Sequence, residues 1–102
     1  MSTVGTVRIW HREEGWGVID SPATPGGCWV HFSHLWNDDI PEPDPGEVVE
    51  VQGGFREAIE GETVDFEWEP ANQDGYAFRA TTVRPRGRPS PHRIVRRYRP
   101  DG

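Results

Sequence analysis

The sequence predicts an all-β protein: a small, closed, five-stranded antiparallel barrel with an acidic loop insert and a flexible C-terminal tail. Three observations lead there. Five short β-branched and aromatic segments alternate in facing, with glycine- or proline-bearing turns between them. Ten prolines and twelve glycines among 102 residues leave no long helical stretch. Eleven aromatic residues, five of them tryptophan, are too many for a disordered chain. A chain of this length holds one domain, and closing its sheet removes the open edges.

The first strand spans residues 4–10, with Val7 and Ile9 on one face and Thr6, Arg8 and Trp10 on the other. A β-bulge there would instead turn Trp10 to the core. Glu13-Glu14-Gly15 is a tight turn into the second strand, residues 15–19, where Trp16 and Val18 oppose Gly17 and Ile19. Residues 20–27 form a loop, because Ser21-Pro22 and Pro25-Gly26-Gly27 interrupt any ladder. The third strand, residues 28–32, places Trp29 and His31 on one side and Cys28, Val30 and Phe32 on the other. Residues 36–54 are an insert with three prolines, six acids and no basic residue, in which 48–51 have the composition of a short extra strand. In residues 63–69, Val64, Phe66 and Trp68 point inward between Asp65, Glu67 and Glu69. After a turn at 72–75, residues 76–83 complete the barrel. Beyond it, 84–91 suits neither sheet nor helix, and 94–98 are at most a transient helix. The domain is therefore 1–83, and 84–102 an Arg/Pro-rich disordered tail.

Charge divides along the same line. Residues 1–83 hold four arginines against sixteen acids, a net of -12, and 84–102 hold seven against one, a net of +6. A basic arm on an acidic domain is a common way to engage nucleic acid. The insert's charge of -6 suggests an intramolecular contact with the tail when no nucleic acid is bound. The single Cys28 forms no internal disulfide, the first ten residues show no basic region followed by an apolar stretch, and no apolar run reaches membrane-spanning length. A soluble, cytoplasmic protein without a membrane partner is expected. No nucleophile, base and oxyanion donor assemble, so no catalytic residue is assigned and no cofactor is implied. Cys28-x-x-His31-x-x-His34 has metal-like spacing, but alternation sends Cys28 and His31 to opposite faces, so no metal ligand is assigned. Oligomeric state is not legible.

The second and third strands hold the functional signal. Gly15-Trp16-Gly17 sets an indole between two residues without side chains, open to a flat base, and Trp29 and His31 share its sheet face. Aromatic platforms on a sheet are how single strands are read. Arg8 and Trp10 would extend the surface.

These residues resemble the cold-shock domain of bacterial cold-shock proteins and Y-box proteins. The family's Gly-x-Val-Lys-Trp-Phe-Asn opening corresponds to Gly5-Thr6-Val7-Arg8-Ile9-Trp10-His11, its first ribonucleoprotein motif to Glu14-Gly15-Trp16-Gly17-Val18-Ile19, and its second to Cys28-Trp29-Val30-His31-Phe32-Ser33. A further match runs from Glu60 to Trp68. The resemblance implies an OB-type barrel that binds single-stranded RNA or DNA and acts as an RNA chaperone or cold-shock regulator. It implies stacking on Trp16, Trp29, His31 and Phe32, a phosphate contact at Arg8 and a peripheral ring at Phe55. Ile9, Val18 and Glu14 depart from the pattern, replacing two stacking rings and a basic residue. Those departures and the acidic barrel define the contrasting expectation, an OB module turned to protein interaction.

Overall fold

The computed structural model describes residues 2–39, 42–52, 56–91 and 93–98. Among the described residues seven strands follow in order: β1 (Thr3–His11), β2 (Trp16–Asp20), β3 (Cys28–His31), β4 (Glu47–Gln52), β5 (Thr63–Gln73), β6 (Tyr76–Pro85) and β7 (Arg93–Tyr98). Strands β1-β2-β3-β6-β5 close into a barrel, while β4 and β7 form a separate two-stranded sheet. Among the described residues no helix is long and apolar enough to cross a membrane.

The all-β, OB-type barrel is as the sequence predicts, but its strands are mixed rather than purely antiparallel. β3 runs parallel to β6, with Cys28 opposite Phe78 and Trp29 opposite Arg79. The reason is parity. Strand directions cannot alternate all the way round a ring of five, so one neighbouring pair must run the same way.

The barrel interior is filled by Val7, Ile19, Cys28, Val30, Val64, Phe66, Ala80 and Val83. Leu35, Trp36 and Ala58 join them from the connection between β3 and β5. Trp36, read from sequence as the first residue of the insert, is instead only 1% exposed. Its backbone N–H donates to the Val83 carbonyl at 2.8 Å, and its φ of 53° is a conformation bulky residues rarely adopt. Burial of the indole holds the backbone there.

β1 contains the register shift that decides where Trp10 goes. Val7 opposes Ile19 but Ile9 opposes Val18, so two β1 residues answer one step on β2. Past this bulge the facing reverses. Ile9 shares the outer side with Val18, and Trp10 packs against the core.

The tail is tied to the barrel where it is described. Arg84 pairs with Asp38, and Arg88 pairs with Glu62 while lying 5.1 Å over the Trp36 ring. Arg86 forks onto Asp65 through Nε and Nη2, each at 2.8 Å, and holds that carboxyl below its usual range. Residues 93–98, left by the sequence in a flexible tail with a transient helix, form β7. Its β-branched Ile94 and Val95 find an extended partner in β4, from Glu47 opposite Tyr98 to Gln52 opposite Arg93. The charges meet as well: Arg96 lies 3.5 Å from Glu47 and Arg97 lies 3.8 Å from Glu50. Insert and tail are thus in contact as strands.

Candidate nucleic-acid interface

Alternation along β2 and β3 sends Trp16, Trp29 and His31 to the outer face of the barrel. Trp16 stands opposite His31, and Trp29 opposite Val18, which sets the two indoles on a diagonal. Their ring centroids are 6.5 Å apart with planes 23° from parallel, and Trp29 lies 6.0 Å from His31 at 21°. The row lengthens at both ends. His11, opposite Trp16 on β1, brings its ring to 4.2 Å from the indole. Phe32 lies 4.4 Å from His31 and is 39% exposed.

Phe32 joins the row because alternation stops before it. β3 ends at His31, and residues Phe32–His34 form a 3-10 turn. The Phe32 N–H donates to the Gly15 carbonyl at 2.8 Å, and the ring lies against Gly15, whose φ is +77°. A Cβ on Gly15 would come within 2.7 Å of Phe32 Cδ1. Gly17 has a different role from the one its place in the motif suggests. It is buried against β1, where a Cβ would meet the Ile9 carbonyl oxygen and approach Trp10 Cε3 to 2.6 Å. Gly17 lets β1 and β2 close over Trp10; it does not unshield Trp16.

The expected site residues therefore separate. Trp16, Trp29, His31 and Phe32 come together in one exposed row. Trp10 does not extend it, since the bulge turns its indole inward. Arg8 lies on the outer side but beside the loop that covers Val18, near Gly27 and Tyr76, and is ion-paired with Asp20. That hydrogen bond is the main cause of the raised Arg8 pKa. Phe55 lies outside the described residues. Val18, one of the departures, is fully buried beneath this loop.

Sequence reasoning missed His11 and His34. His11 follows the bulge, so its facing was as hidden as that of Trp10. His34 had a signal, since residues three apart in a 3-10 turn lie on one side. Its ring is 6.1 Å from His31 and 6.3 Å from Trp29. Cys28 faces the interior instead, where burial pushes its thiol up to about 12.

Next to His34 the row opens into a cleft of about 410 Å³ between β3 and the β5–β6 hairpin, lined by Trp29, His31, His34, Glu69, Gln73 and Arg79. Electrostatically the face is mixed. Glu14 accepts a hydrogen bond from Trp16 Nε1 at 3.1 Å, and Arg79 donates through Nε to Glu69 at 3.1 Å. Arg56 lies 5.6 Å over the Phe32 ring and donates to the carbonyls of Ser33 and Leu35, each at 3.4 Å. Comparison with protein-family models and with curated proteins finds no match to this chain.

Proposed function

We propose that the protein binds single-stranded RNA or DNA by stacking bases on the outer face of β2 and β3. One observation supports this above all: five rings, from His11 through Trp16, Trp29 and His31 to Phe32, stand in a contiguous row with neighbouring centroids 4.2–6.5 Å apart. Each aromatic face gives an unpaired base a sequence-tolerant partner, and stacking contributes roughly 1–3 kcal/mol per base. A duplex keeps its bases stacked on one another and offers the row only backbone. The resemblance to cold-shock domains agrees with this reading and extends it to an RNA-chaperone role in the cytoplasm.

Phosphate attraction is the weaker half of the binding. Arg8 and Arg79 are held by Asp20 and Glu69, and the tail arginines from 84 to 88 by carboxylates of the barrel and its loops. Each phosphate contact must exchange one ion pair for another, so its net gain is small. This pairing favours the second reading, an OB-type module that binds another protein through the same aromatic face.

The two readings part on a titration. A short pyrimidine-rich oligonucleotide added at low salt should quench tryptophan fluorescence, and log affinity should fall with log salt by ~0.7 per contacted phosphate. With few phosphate contacts, the slope should be shallow. Absence of quenching at low salt would leave only the protein-interaction reading.

A further inference from the structure

The cleft beside His34 differs from the rest of the row in having two histidines with fixed ring protons. His34 Nδ1 accepts the His31 backbone N–H at 3.1 Å, and His31 Nδ1 accepts the Ser33 backbone N–H at 3.3 Å, with Ser33 Oγ 2.8 Å away. A nitrogen that accepts from a backbone N–H carries no proton, so in the neutral ring the proton sits on Nε2. Each imidazole then has one remaining polar group, an Nε2–H donor, and both rings line the cleft. Burial, then neighbouring His31 and Arg79, pushes His34 below the ordinary histidine range against the opposing pull of Glu69, which favours the neutral donor form. Gln73 adds an amide to the same wall, and the Trp29 ring offers a stacking surface.

We infer that this cleft reads the edge of one nucleobase and selects a base with a ring carbonyl, uracil or a 6-oxopurine, over adenine. The inference rests on the nucleic-acid reading and adds base selectivity to it. Two N–H donors suit a carbonyl oxygen with its two lone pairs. The amino group of adenine at the same position sets donor against donor and leaves N–H groups covered by the base unpaired, a loss that hydrogen-bonding sites discriminate against.

The test uses the full chain and three oligonucleotides that differ only in one central base: hypoxanthine, uracil or adenine. Hypoxanthine keeps the purine ring of adenine and changes only its edge, with oxygen in place of the amino group and N1–H in place of the N1 acceptor. It should bind about 5- to 10-fold more tightly than adenine, the equivalent of roughly one hydrogen bond, and uracil should also exceed adenine. In His34→Asn the side-chain oxygen still accepts the His31 N–H but the Nε2–H donor is gone, so the preference should shrink to what His31 alone supports while adenine binding persists. Equal affinities in the native chain, or a preference undiminished in His34→Asn, overturn the inference with nucleic-acid binding intact. Failure of all three oligonucleotides to bind overturns the reading beneath it. Imidazole ¹⁵N–¹H spectra of the free protein should show Nε2–H on both rings; Nδ1–H on either would remove the donor assignment.

Discussion

Replacing Trp16 and Trp29 with alanine should each weaken binding of a short single strand about 5- to 150-fold, the equivalent of one lost stacking partner. The two rings are neighbours, so the double variant need not show the sum. Both indoles are partly exposed on the outer face and lie outside the core cluster. Fold is therefore expected to survive, and a thermal melt separates lost binding from lost structure. The discriminating comparison is with Trp68→Phe. That ring packs against the core edge-on to Phe78 at 5.2 Å, so affinity should hold. Unchanged affinity in the Trp16 and Trp29 variants, with fold intact, would move the binding surface elsewhere.

Trp36→Ala should have the largest effect on stability. The indole is 1% exposed in the core cluster, and emptying such a site costs about 3–5 kcal/mol. A domain of this size has only about 5–15 kcal/mol in total, so the melting temperature should fall by roughly 10–40 °C. Two further losses follow from the geometry. Arg88 loses the ring it lies over at 5.1 Å, which loosens the tail, and alanine at φ 53° keeps the backbone strain without the burial that offsets it. A melting temperature within a few degrees of the native protein would mean that the core holds together without this residue.

Trp36 also shows where the sequence stops being informative. It opens a run of prolines and acids, and nothing in composition separates it from the loop that follows; only the Val83 carbonyl and the Arg88 guanidinium, distant in sequence, reveal its place. The outer face was legible because β2 and β3 obey strict alternation, and one residue of phase puts Trp16, Trp29 and His31 together. The inward set Val64, Phe66 and Trp68 on β5 was legible for the same reason. β1 was not, since a bulge has no compositional signature and one extra residue reverses every facing beyond it. That single shift decides between the two facings the sequence leaves open for Trp10, and it hid His11. β7 has β-branched residues that admit a strand, but its partner lies more than forty residues upstream, and a short segment without a known partner reads as tail. The charges of insert and tail did foretell their meeting, because opposite sign is visible without any geometry. The parallel β3–β6 pair required only counting strands around a closed ring.

Indole resonances offer the most direct measurement of the central claim. The five tryptophans divide by position: Trp16 and Trp29 in the exposed row, Trp10 and Trp68 against the core, and Trp36 within it. Titrating a ¹⁵N-labelled protein with a short single-stranded oligonucleotide should shift or broaden the Nε1–H signals of Trp16 and Trp29, since a stacked base places its ring current on them. The signals of Trp10, Trp36 and Trp68 should stay within their starting linewidths. Perturbation confined to the buried three or to the β4–β7 amides, with Trp16 and Trp29 unmoved, would contradict the assignment of this face as the binding surface.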